Sequence, residues 1–182
     1  KEPAILTLTQ KAAPKIEDNR AGDSIALLII GEQLNLLGSM WDNSENMRNW
    51  TNVTLWEATD KDLPAPEAVG RVRSVTYAMF RTEESIPQEV RYLKYLESLD
   101  ISSNTNTMLQ HIELGSEVCG LNYLKHFRMF SYGLVSLPEE FKNLGKTLET
   151  LDLSANNFTT VPEVLTPENF PKLKSLNLIA NR

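Results

Sequence analysis

LESLDISSN, Leu96 to Asn104, places apolar side chains at Leu96, Leu99 and Ile101 and closes on Asn104. The same spacing, L-x-x-L-x-L-x-x-N, returns in LETLDLSAN (Leu148, Leu151, Leu153, Asn156) and in LKSLNLIAN (Leu173, Leu176, Leu178, Asn181). Two looser copies keep the three apolar positions: Val72, Val75 and Tyr77 in VRSVTYAMF, and Leu124, Phe127 and Met129 in LKHFRMFSY. The five starts, at 72, 96, 124, 148 and 173, are separated by 24, 28, 24 and 25 residues. A fixed period of this length marks a chain of stacked units, each unable to cover its apolar face until a neighbour lies on it.

The second half of the period repeats as well. Ile86-Pro87, Leu137-Pro138 and Val161-Pro162 follow three of the copies, and Ile112-Glu113 reads as the equivalent pair without proline. Proline fixes φ and supplies no N–H, so these segments read as return arms that make no sheet hydrogen bonds. An asparagine closing each copy can bridge the turn backbone of adjacent coils. Phe80 and Tyr132 stand in that place in the first and third copies. There, either ring packing fills the gap or the coil twists and exposes a ring for binding.

From about Gly70 to Arg182 the chain resembles the leucine-rich-repeat family, and its I-P-x-x-V and L-P-x-x-F arms look most like the plant-type and bacterial surface versions. The resemblance implies an α/β leucine-rich-repeat solenoid, with short parallel strands on a concave face, irregular, 3-10 or helical return arms, and a helical N-terminal cap. Residues 71–182 are then five repeats, the last incomplete.

A stack of repeats exposes its apolar columns at its end, so residues 23–70 are expected to cap it. Asp23 or Ser24 is the expected N-cap of a helix carrying Ile25, Leu28, Ile29, Leu34 and Leu36-Leu37, with Gly38 as its stop. Trp41, Trp50 and Trp56 crowd together beyond it as one small second core, and WTNVTLW alternates like a strand. The order Asp23, Leu27-Leu28, Trp41, Trp50, Val53-Thr54, Gly70-Arg71-Val72 is similar to the cap of plant-type repeats and of repeat proteins on the surface of gut-type Gram-negative bacteria. The plant cap carries a cysteine pair that this chain lacks, which the resemblance assigns to a bacterial cap held by tryptophan packing. KDLPAPEAV, Lys61 to Val69, reads as a loop with no function of its own. Residues 1–22 read as the end of a preceding immunoglobulin-like module, AILTLTQ being its last strand, plus a linker. The chain starts at Lys1 and stops just after the asparagine of a repeat, so the natural protein is expected to extend beyond both ends.

Composition narrows the function. Eighteen Lys and Arg against 24 Asp and Glu give a net charge of -6, with no basic cluster of the kind phosphate contacts need. Nucleic acid is therefore not expected as a partner. The longest apolar run, Ile25 to Ile30, is far short of the ~20 residues that span a bilayer, so this segment is not expected to insert in a membrane. Cys119 is the only cysteine and reads as a packing residue. His111 and His126 are the only histidines, with no triad order, H-E-x-x-H, phosphate loop or metal-ligand spacing beside them, so neither enzyme chemistry nor a cofactor is expected. Asp18, Asp23, Asp42, Asp60 and Asp62 read as solvated. Three Asn-x-Thr stretches, starting at Asn49, Asn52 and Asn157, matter only in a eukaryotic secretory pathway.

Binding residues are sought between the apolar positions. The second position runs Arg73, Glu97, Lys125, Glu149, Lys174 and the fifth runs Thr76, Asp100, Arg128, Asp152, Asn177. Alternating signs at one register can pair from strand to strand, about 4.8 Å apart. The candidate partner-binding set is Lys125, His126, Arg128, Phe130, Asp100, Asp152 and Asn177, with Met79 and Ile179 at places expected to match Phe130. The expected function is a protein–protein interaction module on the concave face of an exported or cell-surface bacterial protein, with a lipid anchor upstream as one arrangement. A glycan-binding accessory domain using the tryptophans and a non-catalytic arm of a larger enzyme are the alternatives.

Overall fold

The computed structural model describes residues 15–36, 41, 45–80, 84–103 and 111–182, with the side chains of residues 79 and 80 excepted. The immunoglobulin-like strand, Gly38, Asp42 and Asn104 fall outside these residues. Among the described residues one α-helix, α1 (Arg20–Gln33), is followed by eight strands: β1 (Val53–Leu55), β2 (Val72–Phe80), β3 (Ser98–Ser103), β4 (Ile112–Glu113), β5 (His126–Phe130), β6 (Leu134–Ser136), β7 (Thr150–Asp152) and β8 (Ser175–Asn177).

Each of the five sequence copies places one strand in a six-stranded sheet of order β1-β2-β3-β5-β7-β8. β1 lies antiparallel to β2, and the rest run parallel, with Val75, Leu99, Phe127, Leu151 and Leu176 in one register. Period-2 geometry sends those side chains to one side of the sheet, where the neighbouring copies cover them. Val75, Leu99, Phe127 and Leu151 are each 1% exposed, whereas Leu176 on the edge strand is 41% exposed.

The asparagine ladder exists at both closing asparagines among the described residues. Buried Asn156 accepts at Oδ1 from the N–H groups of Tyr132, Gly133 and Leu134 at 3.0–3.1 Å and donates from Nδ2 to the carbonyls of Met129, Leu153 and Ser154. Asn181 repeats the device one coil on, donating to Leu153 and Leu178 carbonyls and accepting from Phe158 N–H. In the third copy the Tyr132 ring is buried in asparagine's place and its hydroxyl donates to Glu84 O at 2.8 Å, so ring packing rather than exposure fills that gap.

In the last three copies the residue before the closing position turns left-handed: Ser131, Ala155 and Ala180 have φ of 54°, 56° and 60°. A Cβ in that region costs roughly 1–2 kcal/mol, and glycine avoids it. Ala155→Gly is therefore expected to raise stability by roughly 0.5 kcal/mol, the opposite of glycine's usual effect. A urea midpoint clearly below that of the parent would contradict this account of the turn.

The return arms differ from expectation in one respect. Ile112 and Glu113 pair in parallel with Leu134 and Ser136, so this stretch does make sheet hydrogen bonds. That register sets Leu114-Gly115, not Ile112-Glu113, level with Leu137-Pro138. Short 3-10 turns start directly after Pro87, Gly115 and Pro138, over Gln88–Tyr92, Ser116–Gly120 and Glu139–Lys146. Glycine takes the proline's place because both permit the extended backbone that enters the turn; Gly115 has φ -67° and ψ 153°. Cys119 is packed in the second of these turns, and burial, with the Glu140 and Glu117 charges, pushes its thiol up to about 12.

α1 starts earlier than Asp23 or Ser24. Its N-cap is Asn19, whose side chain accepts from Gly22 N–H at 2.9 Å. Its buried face is Ala26, Leu27, Ile30 and Leu34, while Ile25, Leu28 and Ile29 are only partly covered. Asp23 is not solvated but buried. It accepts from Arg71 Nη2 and Nε at 2.7 and 2.9 Å and from Val72 N–H at 2.9 Å, seating the helix on the first strand. The tryptophans divide: Trp41 stacks on Trp50 at 5.3 Å and meets Tyr77 edge-on inside the main core. Trp56 joins a separate cluster with Ala68 and Tyr95 and donates to Tyr95 O.

Candidate interaction face

On the side of the sheet away from the core, three outward rows run across the strands. The first is Ser74, Ser98, His126, Thr150, Ser175; the second is Thr76, Asp100, Arg128, Asp152, Asn177; the third, shorter, is Ala78, Ser102, Phe130. The third row corrects one expectation. The register sets Ala78 level with Ser102, and Ser102 level with Phe130, so Met79 is one residue out of step; Ile179 lies in the turn after β8.

The charges just ahead of the strands pair from coil to coil, as alternation predicts. Glu97 is shared by Arg73 at 2.6 Å and Lys125 at 2.7 Å, and Lys174 reaches Glu149 at 2.6 Å. The expected solvated loop joins in. Asp60 and Asp62 contact Arg73 at 3.3 Å and Asp62 reaches Lys125 at 3.1 Å. The Glu97 carboxylate raises the Lys125 ammonium above its ordinary range despite partial burial, and Asp62 adds to the effect. Arg73 also lies over the Trp56 ring at 4.3 Å. This flank of the face is thus occupied by the chain's own charges. The role of Asp62 had no local signal in sequence, because its partner lies sixty-three positions away.

At the centre, Arg128 sits between Asp100 at 3.4 Å and Asp152 at 3.3 Å, and donates to Ser102 Oγ at 2.7 Å. Its guanidinium lies over the Phe130 ring, 4.8 Å from the centroid. Its side chain is nevertheless 40% exposed. Burial alone would raise the Asp152 carboxyl, but hydrogen bonds from Ser154 and the Arg128 charge outweigh it and hold the group below its ordinary value. His126 is exposed, with Nδ1 2.9 Å from Thr150 Oγ1, and Asn177 Oδ1 accepts from Ile179 N–H at 3.0 Å. The sheet therefore brings His126, Arg128, Phe130, Asp100, Asp152 and Asn177 onto one face, with Lys125 just ahead of β5 among the flanking charges. The tryptophans are elsewhere, 4%, 4% and 1% exposed at Trp41, Trp50 and Trp56, and they offer no open ring to a sugar. Among the described residues no group of three His, Cys, Asp or Glu side chains is placed to hold a metal ion, and no helix is long and apolar enough to cross a membrane.

Comparison with known proteins locates the fold. No protein-family model matches the chain. A plant ice-binding protein superposes with a TM-score of 0.70 at 26% identity, over 91% of this chain and 50% of that one. A chain of the BIR3–SERK2 complex from Arabidopsis thaliana gives 0.67 at 22% identity, over 87% and 81%. The LRR ectodomain of the receptor kinase SOBIR1 from Arabidopsis thaliana gives 0.52 at 20% identity, over 88% and 92%. A curated relative, FERM domain-containing protein C of Dictyostelium discoideum, is 41% identical over 58 residues, 32% of this chain and 4% of that protein. The chain thus spans half the length of the ice-binding protein and a small part of the Dictyostelium protein. Its fold is of the leucine-rich-repeat kind.

Proposed function

We propose that this chain is a protein-interaction module, a leucine-rich-repeat solenoid on an exported or cell-surface protein that binds its partner through the concave strand face. The observation that carries this reading is the Arg128–Phe130 pair: a half-exposed guanidinium stacked on an aromatic ring, on a central strand of an otherwise polar face. Arginine and aromatic side chains supply most of the energy in protein interfaces, and a strand with both neighbours in place holds them rigidly. The ectodomain likeness supports the exported setting. A bacterial source rests on the cap alone, with its packed Trp41 and Trp50 and no cysteine among residues 23–70.

Capture from cell-surface extracts tests the reading. The parent chain is expected to retain a specific protein that Arg128→Ala and Phe130→Ala each release, a loss of about 2 kcal/mol or more apiece if these are interface anchors. Neither change should lower the melting temperature by more than a few degrees. Retention of the same protein by both variants would move the binding site off this face.

A further inference from the structure

We propose that Arg128 and Asp100 together receive a side-chain carboxamide, an Asn or Gln of the protein partner, and discriminate against a carboxylate or an ammonium group in its place. The inference deepens the interaction reading and rests on it.

The guanidinium is held in one place by four groups. Nε donates to Asp152 Oδ2 at 3.3 Å, Nη1 reaches Asp100 Oδ2 at 3.4 Å and donates to Ser102 Oγ at 2.7 Å, and the Phe130 ring lies against its face. Ser102 sets the direction of these bonds. A serine hydroxyl has one proton, which goes to Asp100 Oδ1 at 2.6 Å, so its oxygen is left to accept from Arg128. An arginine fixed in this way has little rotamer freedom left to lose when a partner arrives.

What these contacts leave open defines the ligand. Arg128 makes no bond from Nη2 to any described residue, and its side chain is 40% exposed, so two N–H donors are available. Asp152 is filled: Oδ1 accepts twice from Ser154, at 2.9 and 2.5 Å, Oδ2 accepts from Arg128, and Asn177 donates to the same carboxylate. Asp100 differs. It accepts one bond at each oxygen where a carboxylate oxygen takes two, so it keeps acceptor capacity beside the open guanidinium edge.

Charge then selects among the groups that could meet this donor and acceptor. Two carboxylates against one guanidinium give Asp100, Arg128 and Asp152 one net negative charge, so a partner Glu or Asp would set a like charge beside Asp100. A partner Lys offers donors only and leaves the Arg128 edge without an acceptor, facing another cation. A carboxamide carries a C=O for Arg128 and an NH2 for Asp100 in one plane, with no charge to compensate. The outward positions nearest the trio, Thr76, Ser98, Thr150 and Asn177, are hydroxyls and an amide and add no charge of their own.

Titration of the whole 182-residue chain, followed by amide and arginine side-chain NMR, provides the test. The probes are acetyl-Ser-Thr-Gln-Thr-Ser-amide and the same peptide with Glu, Lys or Met in place of Gln. The Gln peptide is expected to give saturable shifts centred on Asp100, Ser102 and Arg128 that added salt barely weakens, and the other three to bind about tenfold more weakly or worse. Asp100→Asn leaves the trio neutral and should narrow the preference for Gln over Glu by about tenfold, a change of selectivity that loosening of the face would not produce. Arg128→Lys keeps the charge but not the planar fork, and should weaken the Gln peptide by about tenfold. Equal binding of the four peptides, shifts centred elsewhere, or no shifts at all would overturn the proposal. The interaction reading is judged separately, because it stands if Arg128→Ala releases the captured protein even where the peptides bind alike.

Discussion

Asn156→Ala is expected to destabilise the chain by roughly 4 kcal/mol, one of the two largest effects of any single substitution considered, with a fall in melting temperature of about 10 °C. The side chain makes six bonds to backbone: three N–H groups of the turn Tyr132 to Leu134 on one coil, and three carbonyls, Met129 of that coil and Leu153 and Ser154 of its own. Alanine removes all six partners and leaves buried peptide groups, each of which costs about 1–3 kcal/mol when unsatisfied, less whatever water can restore. Asn181→Ala provides the scale, since that side chain is only half-buried and makes three such bonds. Its loss should cost about 1 kcal/mol. Equal urea midpoints for the two variants would show that the bond network around Asn156 is not what holds adjacent coils together.

What made Asn156 visible beforehand was its spacing from the leucines, and the same holds for most of the sheet. A repeat states its own geometry: Leu148, Leu151 and Leu153 alternate as a strand, and five copies at one period fix both strand order and register. The outward rows follow from that register, so the gathering of Asp100, Arg128 and Asp152 was legible. Features set by contacts between repeats and cap were not. Asp23 reads as an N-cap or a solvated acid because a local window shows helix signals only. It cannot show that Arg71, forty-eight residues on, would claim the carboxylate. Asp62 reads as solvated for the same reason, although it pairs with Arg73 and Lys125. Ile112-Glu113 reads as the arm equivalent because it follows the rhythm of apolar-then-polar. The true equivalent, Leu114-Gly115, substitutes glycine for proline, two residues that share a backbone requirement and nothing in hydropathy. Ala78, not Met79, stands level with Phe130: both are the seventh residue of their copies, and Ala78 pairs with Ser102 as Ser102 pairs with Phe130.

Arg71→Met should destabilise by roughly 3–5 kcal/mol at neutral pH, and the loss should shrink as the solution is acidified. Arg71 is 5% exposed, ties Asp23 to the start of β2 and reaches Asp18 at 2.8 Å. Methionine fills similar volume but leaves a carboxylate buried beside it with Val72 N–H as its remaining donor. The direction with pH follows from the carboxyl. Burial already raises Asp23 above its ordinary value in the parent, against the Arg71 hydrogen bonds that lower it. A raised folded value means that this group's contribution is present below the unfolded carboxylate range and lost as pH rises through the folded value. Removing Arg71 takes away the opposing cation, so the raise grows and the variant recovers stability on protonation. Asp18 works in the other sense: hydrogen bonds to Arg71 and Lys94 lower it, so its contribution is present above its unfolded value and lost in acid. That contribution weakens in the variant, which further narrows the gap at low pH. Urea midpoints of parent and Arg71→Met are therefore expected to converge between pH 7 and about pH 4. Asp23→Asn in the Arg71→Met background should restore part of the loss at neutral pH, because a neutral amide keeps an oxygen for Val72 N–H without a charge to bury. A gap that stays constant across the pH range, with no rescue by the amide, would mean that packing of the arginine stem rather than its charge seats the helix on the first strand.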